Sequence, residues 1–171
     1  MKTRISKLTS GGALMAIAAL TVALSFASAQ AADQNQSSPG TIHGVWQTMV
    51  TPIDCVTGNE IAPPFNGLFT FNKGGTMSEY GISPVIMQTP ALRSPGHGTW
   101  QHDQGPNYSF TFIFYRYDTT GLFVGSQKIT AALVLGTSGN DFTTSSTIEI
   151  FDADGNLIGT GCAKAAGTRF E

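Results

Sequence analysis

Beyond its first thirty-one residues this chain lacks any apolar run long enough to cross a bilayer, any helical stripe of apolar residues, and most of the usual charge. Each lack excludes something. A membrane span needs roughly 20 apolar residues, so no stable membrane insertion is expected after the leader. Only six Lys or Arg follow residue 31 (Lys73, Arg93, Arg116, Lys128, Lys164, Arg169) against eleven Asp or Glu, a net charge near −5. No basic patch is left to release counterions from a phosphate backbone, which argues against nucleic acid as a partner. G-x-S-x-G, phosphate-binding Gly-rich loops and H-E-x-x-H are all missing, so no cofactor and no named reaction follow. Three histidines and no carboxylate or Cys at ligand spacing argue against a metal site. Asp152, Asp154 and Asn156 in FDADGN echo the opening of a calcium loop, but the later ligands are absent and a hairpin turn is expected.

What is present begins with an export leader. Lys2, Arg4 and Lys7 precede an apolar run from Ala13 to Phe26, and ASAQAA offers small-residue cleavage sites near Ala29 or Ala31. That three-part layout predicts a signal peptide over residues 1–31 and a periplasmic or extracellular product. Residues 32–40 read as a flexible leader, and residues 41–171 as one domain. Cys55 and Cys162, an even count in an oxidising compartment, predict one disulfide. Closing a loop of that length is worth about 4–5 kcal/mol in the chain-entropy model. The geometry demands an explanation, because Cys55 lies just past the first strand while Cys162 lies about 17 Å down the last. Either the first loop folds down the outer wall, or the first and last strands are strongly staggered.

From residue 41 the hydrophobic period is two. Eight strands are expected near residues 43–51, 67–73, 75–81, 97–103, 107–118, 122–136, 141–152 and 156–166. Tyr108, Phe110, Phe112, Phe114 and Arg116 share one face of the fifth. NKGG, DQGPN, GTSGND and ADGN supply turns tolerant of positive φ. These turns set Leu135 opposite Phe142, Ile129 opposite Ile148, and Ile150 opposite Gly159. Sequential hairpins without a crossover helix predict an all-β, eight-stranded antiparallel up-and-down barrel, with a β-sandwich as the alternative.

Up-and-down order puts the two long connections, residues 51–66 and 82–96, at the same end. The result is a cup with one dressed rim. Phe65, Val85, Ile86, Met87 and Leu92 add apolar character to that rim. The ligand-binding candidates are therefore Phe65, Met87, Phe110, Phe112, Phe114 and Arg116, with the Arg116 cation meeting a carboxylate or other polar head. Glu79 and Glu149 are the only carboxylates inside strands, and solvated positions are expected for both.

The chain also writes HGVWQ at residues 43–47 and HGTWQ at residues 97–101, with no wider repeat. Gly ahead of Trp allows close backbone approach, and the indole fills space while seeking one partner for its N–H. Gly44, Trp46 and Trp100 are thus structural candidates. Gly44-Val45-Trp46 on the first strand of an exported eight-stranded meander resembles the G-x-W of lipocalins and the wider calycin barrels. That resemblance implies a basic residue near the C-terminus packed across the Trp, and Arg169 is the matching position. RSPGHGTW (93–100), FDADG (151–155) and GCAKAAGTRF (161–170) resemble a group of exported bacterial proteins without an assigned activity, a likeness that spans most of the mature chain.

Three readings follow. The first is a barrel binding a small, mostly apolar ligand through the rim. The second is a ligand-free structural or partner-binding barrel. The third, by analogy with allene-oxide-cyclase-like and dirigent-like barrels, is an isomerase or cyclase using Arg116, Tyr115, Tyr117 or His102 to polarise substrate.

Overall fold

The computed structural model describes residues 40–82 and 92–170. The expected signal segment, most of the expected leader, and rim residues Val85, Ile86 and Met87 lie outside the described residues. Eight strands run in order: β1 (Gly44–Ile53), β2 (Phe65–Phe71), β3 (Thr76–Gly81), β4 (Gly96–Gln104), β5 (Asn107–Tyr117), β6 (Phe123–Leu135), β7 (Asp141–Phe151) and β8 (Leu157–Arg169). Each pairs antiparallel with its sequence neighbours, and β8 closes on β1. The sheet is a closed barrel, not a sandwich. Closure leaves no free edge for another chain to extend.

The register follows the turns. Leu135 opposes Phe142 and Ile129 opposes Ile148 across β6 and β7, while Ile150 opposes Gly159 and Ile148 opposes Gly161 across β7 and β8. At the last of these turns Asp152 Oδ1 accepts from the backbone N–H groups of Asp154 and Asn156, and its Oδ2 accepts from the Asn156 amide. The FDADGN stretch is therefore a capped hairpin turn.

The barrel interior is not uniform. Its lower half, at the end carrying the short connections, is filled by Trp46, Phe69, Phe71, Phe110, Leu133 and Phe142, all buried. Their rings interlock at centroid distances of 4.8 Å (Trp46–Phe142), 5.7 Å (Phe69–Phe110) and 5.7 Å (Phe71–Phe110). Such pairs contribute about 0.5–1.5 kcal/mol each beyond the area they bury. Toward the other end β7 and β8 place small or polar residues inward, Thr144, Ser146, Ala163 and Ala165. Bulky side chains plug one half, and these small ones leave space in the other beside Phe112 and Phe114.

The two H-G-x-W-Q copies are not equivalent, because β1 and β4 run in opposite directions. Gly44 adopts φ +123°, which lets the chain turn into β1 and lay Trp46 across the barrel floor. The Trp46 indole donates to the Ile42 carbonyl at 2.8 Å. Arg169 lies 4.3 Å above the Trp46 ring and donates to the carbonyls of His43, Thr41 and Gly139. Trp100 is only partly buried and donates to the Asn72 carbonyl at 3.0 Å. At Gly98 a Cβ would fall 1.9 Å from the Thr111 carbonyl, so β4 and β5 approach too closely there for any side chain. The copies meet each other: the His43 ring packs edge-on against Trp100 at 5.1 Å. The repeated letters are a structural device that closes the floor from two sides.

Cys55 and Cys162 are joined, with their Cα atoms 5.2 Å apart. Stagger between the first and last strands makes this reachable. Trp46 opposes Arg169, and the ladder continues until Ile53 opposes Cys162. The upper end of β1 thus reaches Cys162 partway along β8, and the first loop need not fold down the wall.

Candidate functional site

The four connections at the open end span residues 54–64, 82–95, 118–122 and 152–156, so both long ones sit there as expected. Beneath them lie two joined spaces. An inner cavity of about 80 Å³ is walled by Phe65, Phe69, Phe110, Phe112, Phe114 and Ile129, with Thr144, Ser146, Ala163 and Ala165 on the opposite side. Above it a vestibule of about 430 Å³ is bounded by Pro52, Ile61, Leu92, Arg116, Tyr117, Asp118 and Ile150. Arg93, Phe114, Gln127 and Ile148 line both spaces and form the neck between them. For scale, an engineered apolar cavity of about 150 Å³ takes up benzene.

Of the sequence-predicted ligand-binding residues, Phe65, Phe110, Phe112 and Phe114 all line the inner cavity. Phe65 opens β2 and does not belong to the rim loop. Arg116 lines the vestibule, as does Leu92. Met87 lies outside the described residues. Tyr117 faces the vestibule, but Tyr115 is half exposed beside Phe123 on the outer wall. His102 is at the floor end, against Tyr108 at 4.7 Å and bonded to the Gly105 carbonyl. Neither Tyr115 nor His102 can polarise a substrate inside the barrel.

The expectation of a solvated Glu79 is overturned. Glu79 has the inward parity of Met77 and is only 5% exposed, whereas Glu149 is partly exposed and paired with Lys128. The partner of Glu79 is Arg93, whose guanidinium meets both carboxylate oxygens (Nη1 to Oε1 at 3.3 Å, Nη2 to Oε2 at 2.5 Å). Arg93 also donates to the Gly81 and Ser94 carbonyls and covers the Phe114 ring at 3.6 Å. Backbone pairing puts it there. The Ser94 N–H donates to the Tyr115 carbonyl and the Tyr117 N–H to the Leu92 carbonyl, which extends the β4–β5 ladder and turns Arg93 inward. Glycines make the room: a Cβ at Gly96 would fall 2.7 Å from Oε2, and one at Gly81 would fall 2.8 Å from Oε1. Burial raises the Glu79 pKa above the ordinary carboxylate range, and the Arg93 charge opposes that rise without cancelling it.

A second cation stands beside this pair. Arg93 and Arg116 are bridge partners on adjacent chain segments. The Arg116 Nη1 is buried and has no hydrogen-bond partner among the described residues. A buried guanidinium nitrogen without an acceptor is costly, and few such groups occur in a folded protein.

The Glu79–Arg93 pair escaped the sequence reading, although a signal for it existed. Alternation in TMSEYG puts Met77, Glu79 and Gly81 on one face, and an inward acid requires a buried cation. Among the described residues no group of three or more His, Cys, Asp or Glu side chains is placed to hold a metal ion. No protein-family model matches this chain, and no curated protein sequence matches it.

Proposed function

We propose that this protein is an exported barrel that binds a small, mostly apolar ligand through the end carrying the long connections. One observation carries the reading: the half of the interior nearest those connections is hollow and walled by phenyl rings, and it widens into a vestibule. Pockets with apolar walls and a few placed polar groups are the usual form of small-molecule sites. Export rests on the three-part leader and agrees with the Cys55–Cys162 disulfide. The Trp46–Arg169 contact agrees with the calycin-like resemblance.

The test pairs native extraction and mass spectrometry with displacement of a fluorescent apolar probe. Ala163→Leu, which fills the inner cavity, is expected to abolish displacement while leaving the thermal midpoint unchanged or raised. Absence of any copurifying molecule, with no displacement by any apolar class, refutes the reading. A barrel enzyme of isomerase or cyclase type is the second reading. It is favoured by the Glu79 carboxylate and Gln127, Thr144 and Ser146 lining the same cavity. Unchanged turnover in Glu79→Gln, on any substrate found, removes Glu79 from such a role.

A further inference from the structure

We propose that the ligand is a small organic monocarboxylate that enters tail first and leaves its head on Arg116, above the neck. This rests on the pocket reading and adds the ligand's charge and orientation. The first support is the charge balance. The neck and its border hold two guanidinium groups, Arg93 and Arg116, and one buried carboxylate, Glu79. Asp118 also borders the vestibule, but its Oδ1 already accepts from Thr120 and Leu122, and it forms no ion pair with either arginine among the described residues. Arg116 is thus left without a paired carboxylate among the described residues.

The second support is the orphaned donor. Arg93 is committed on all sides to Glu79, Gly81, Ser94 and the Phe114 ring, whereas the buried Nη1 of Arg116 has no acceptor among the described residues. A carboxylate fits a guanidinium fork and supplies what that nitrogen lacks. Orientation follows from the walls. Below the neck the cavity is lined by phenyl rings and by Glu79, whose like charge repels an anionic head. The apolar tail goes in, and the head stays with Arg116. The inner volume of about 80 Å³ is roughly half that of a benzene-sized cavity, so only a short or slim tail passes the neck.

The experiment titrates the disulfide-bonded chain calorimetrically with straight-chain acids from butanoate to octanoate and with phenylacetate. Each acid is matched to its primary alcohol and its methyl ester. Acids are expected to bind about tenfold or more tightly than their neutral partners. Arg116→Met should erase that preference by weakening the acids to the level of their alcohols, and Arg116→Lys should retain part of it. Thermal melts establish that both variants are folded. Alcohols and esters matching the acids in the unmodified protein would overturn the charge assignment and leave the pocket reading standing. A preference that survives in Arg116→Met would overturn the role of Arg116. Binding by neither class overturns both readings together.

Discussion

Replacing Arg93 by Met should destabilise the barrel by an amount that depends steeply on pH. The variant keeps the aliphatic stem and removes the charge opposite a carboxylate that is only 5% exposed. Glu79 then has two options, to stay ionised in an apolar wall or to take up a proton. Protonating a carboxyl with a pKa near 4.3 at pH 7 costs about 1.36 kcal/mol for each of roughly 2.7 units, close to 4 kcal/mol. That value caps the charge contribution, because a costlier ionised state would simply protonate. It falls in the middle of the 3–5 kcal/mol range for removing one partner of a buried pair. Burial already raises the Glu79 pKa, and loss of the Arg93 charge raises it further. A folded-state pKa above the unfolded one means that stability is fully retained below the unfolded value and lost as pH rises through the folded one. The variant should therefore trail the unmodified protein by up to about 4 kcal/mol at pH 7 and by up to about 1 kcal/mol at pH 5, apart from a pH-independent loss of the Phe114 contact. Urea unfolding of the two proteins at pH 7.5, 6 and 5 measures the difference. A gap that stays constant across pH, or one below about 1 kcal/mol at neutral pH, refutes the assignment of Arg93 as the charge that permits Glu79 to be buried.

Three further outcomes are expected. Converting Cys55 and Cys162 to Ser should cost up to about 4–5 kcal/mol by loop entropy, measured by urea midpoint against the oxidised parent. Arg169→Met removes a cation from the Trp46 face and the donors to three backbone carbonyls, so a loss of about 2–4 kcal/mol and a shifted Trp fluorescence maximum are expected. His43 has its pKa lowered by burial and then by the nearby Lys73 and Arg169 charges. Its neutral form is favoured in the fold, so this contribution is complete above about pH 6.5 and is lost as pH falls through that value toward the lower folded pKa. His43→Gln should flatten that part of the stability profile. An unchanged slope between pH 7 and 5 would exclude His43 as its source.

The barrel was legible in the sequence because period-two alternation and Gly/Asn/Asp turns are local signals, and a hairpin turn fixes register once its type is known. The pairing of Leu135 with Phe142 needed nothing beyond GTSGND. The stagger between β1 and β8 was not legible, since no turn joins those strands and their register comes from closing the whole sheet. That is why the disulfide read correctly as a pair while its geometry looked awkward. The candidate site divides along the same line. Phe110, Phe112, Phe114 and Arg116 declared their face by alternation within one strand. Arg93 did not, because it enters the barrel from an extension of the β4–β5 ladder, 14 residues from its partner Glu79.

The two halves of the barrel differ for a reason that bears on function. A cavity lined by apolar side chains lowers stability, and a buried ion pair seldom raises it above what an apolar packing would give. Nothing in the requirement to fold favours placing Ala163 and Ala165 on the wall of the cavity that Phe112 and Phe114 also line, since larger residues could have filled the space. The floor shows that the same sheet accepts such filling, with Trp46, Phe71 and Phe142 fully buried. The floor also holds the Trp46–Arg169 clamp, so the packed end can sustain the fold while the other end remains open. An interior solid at one end and hollow at the other, with buried charges at the hollow end, gives up stability that full apolar packing would supply. The proposed binding accounts for that loss.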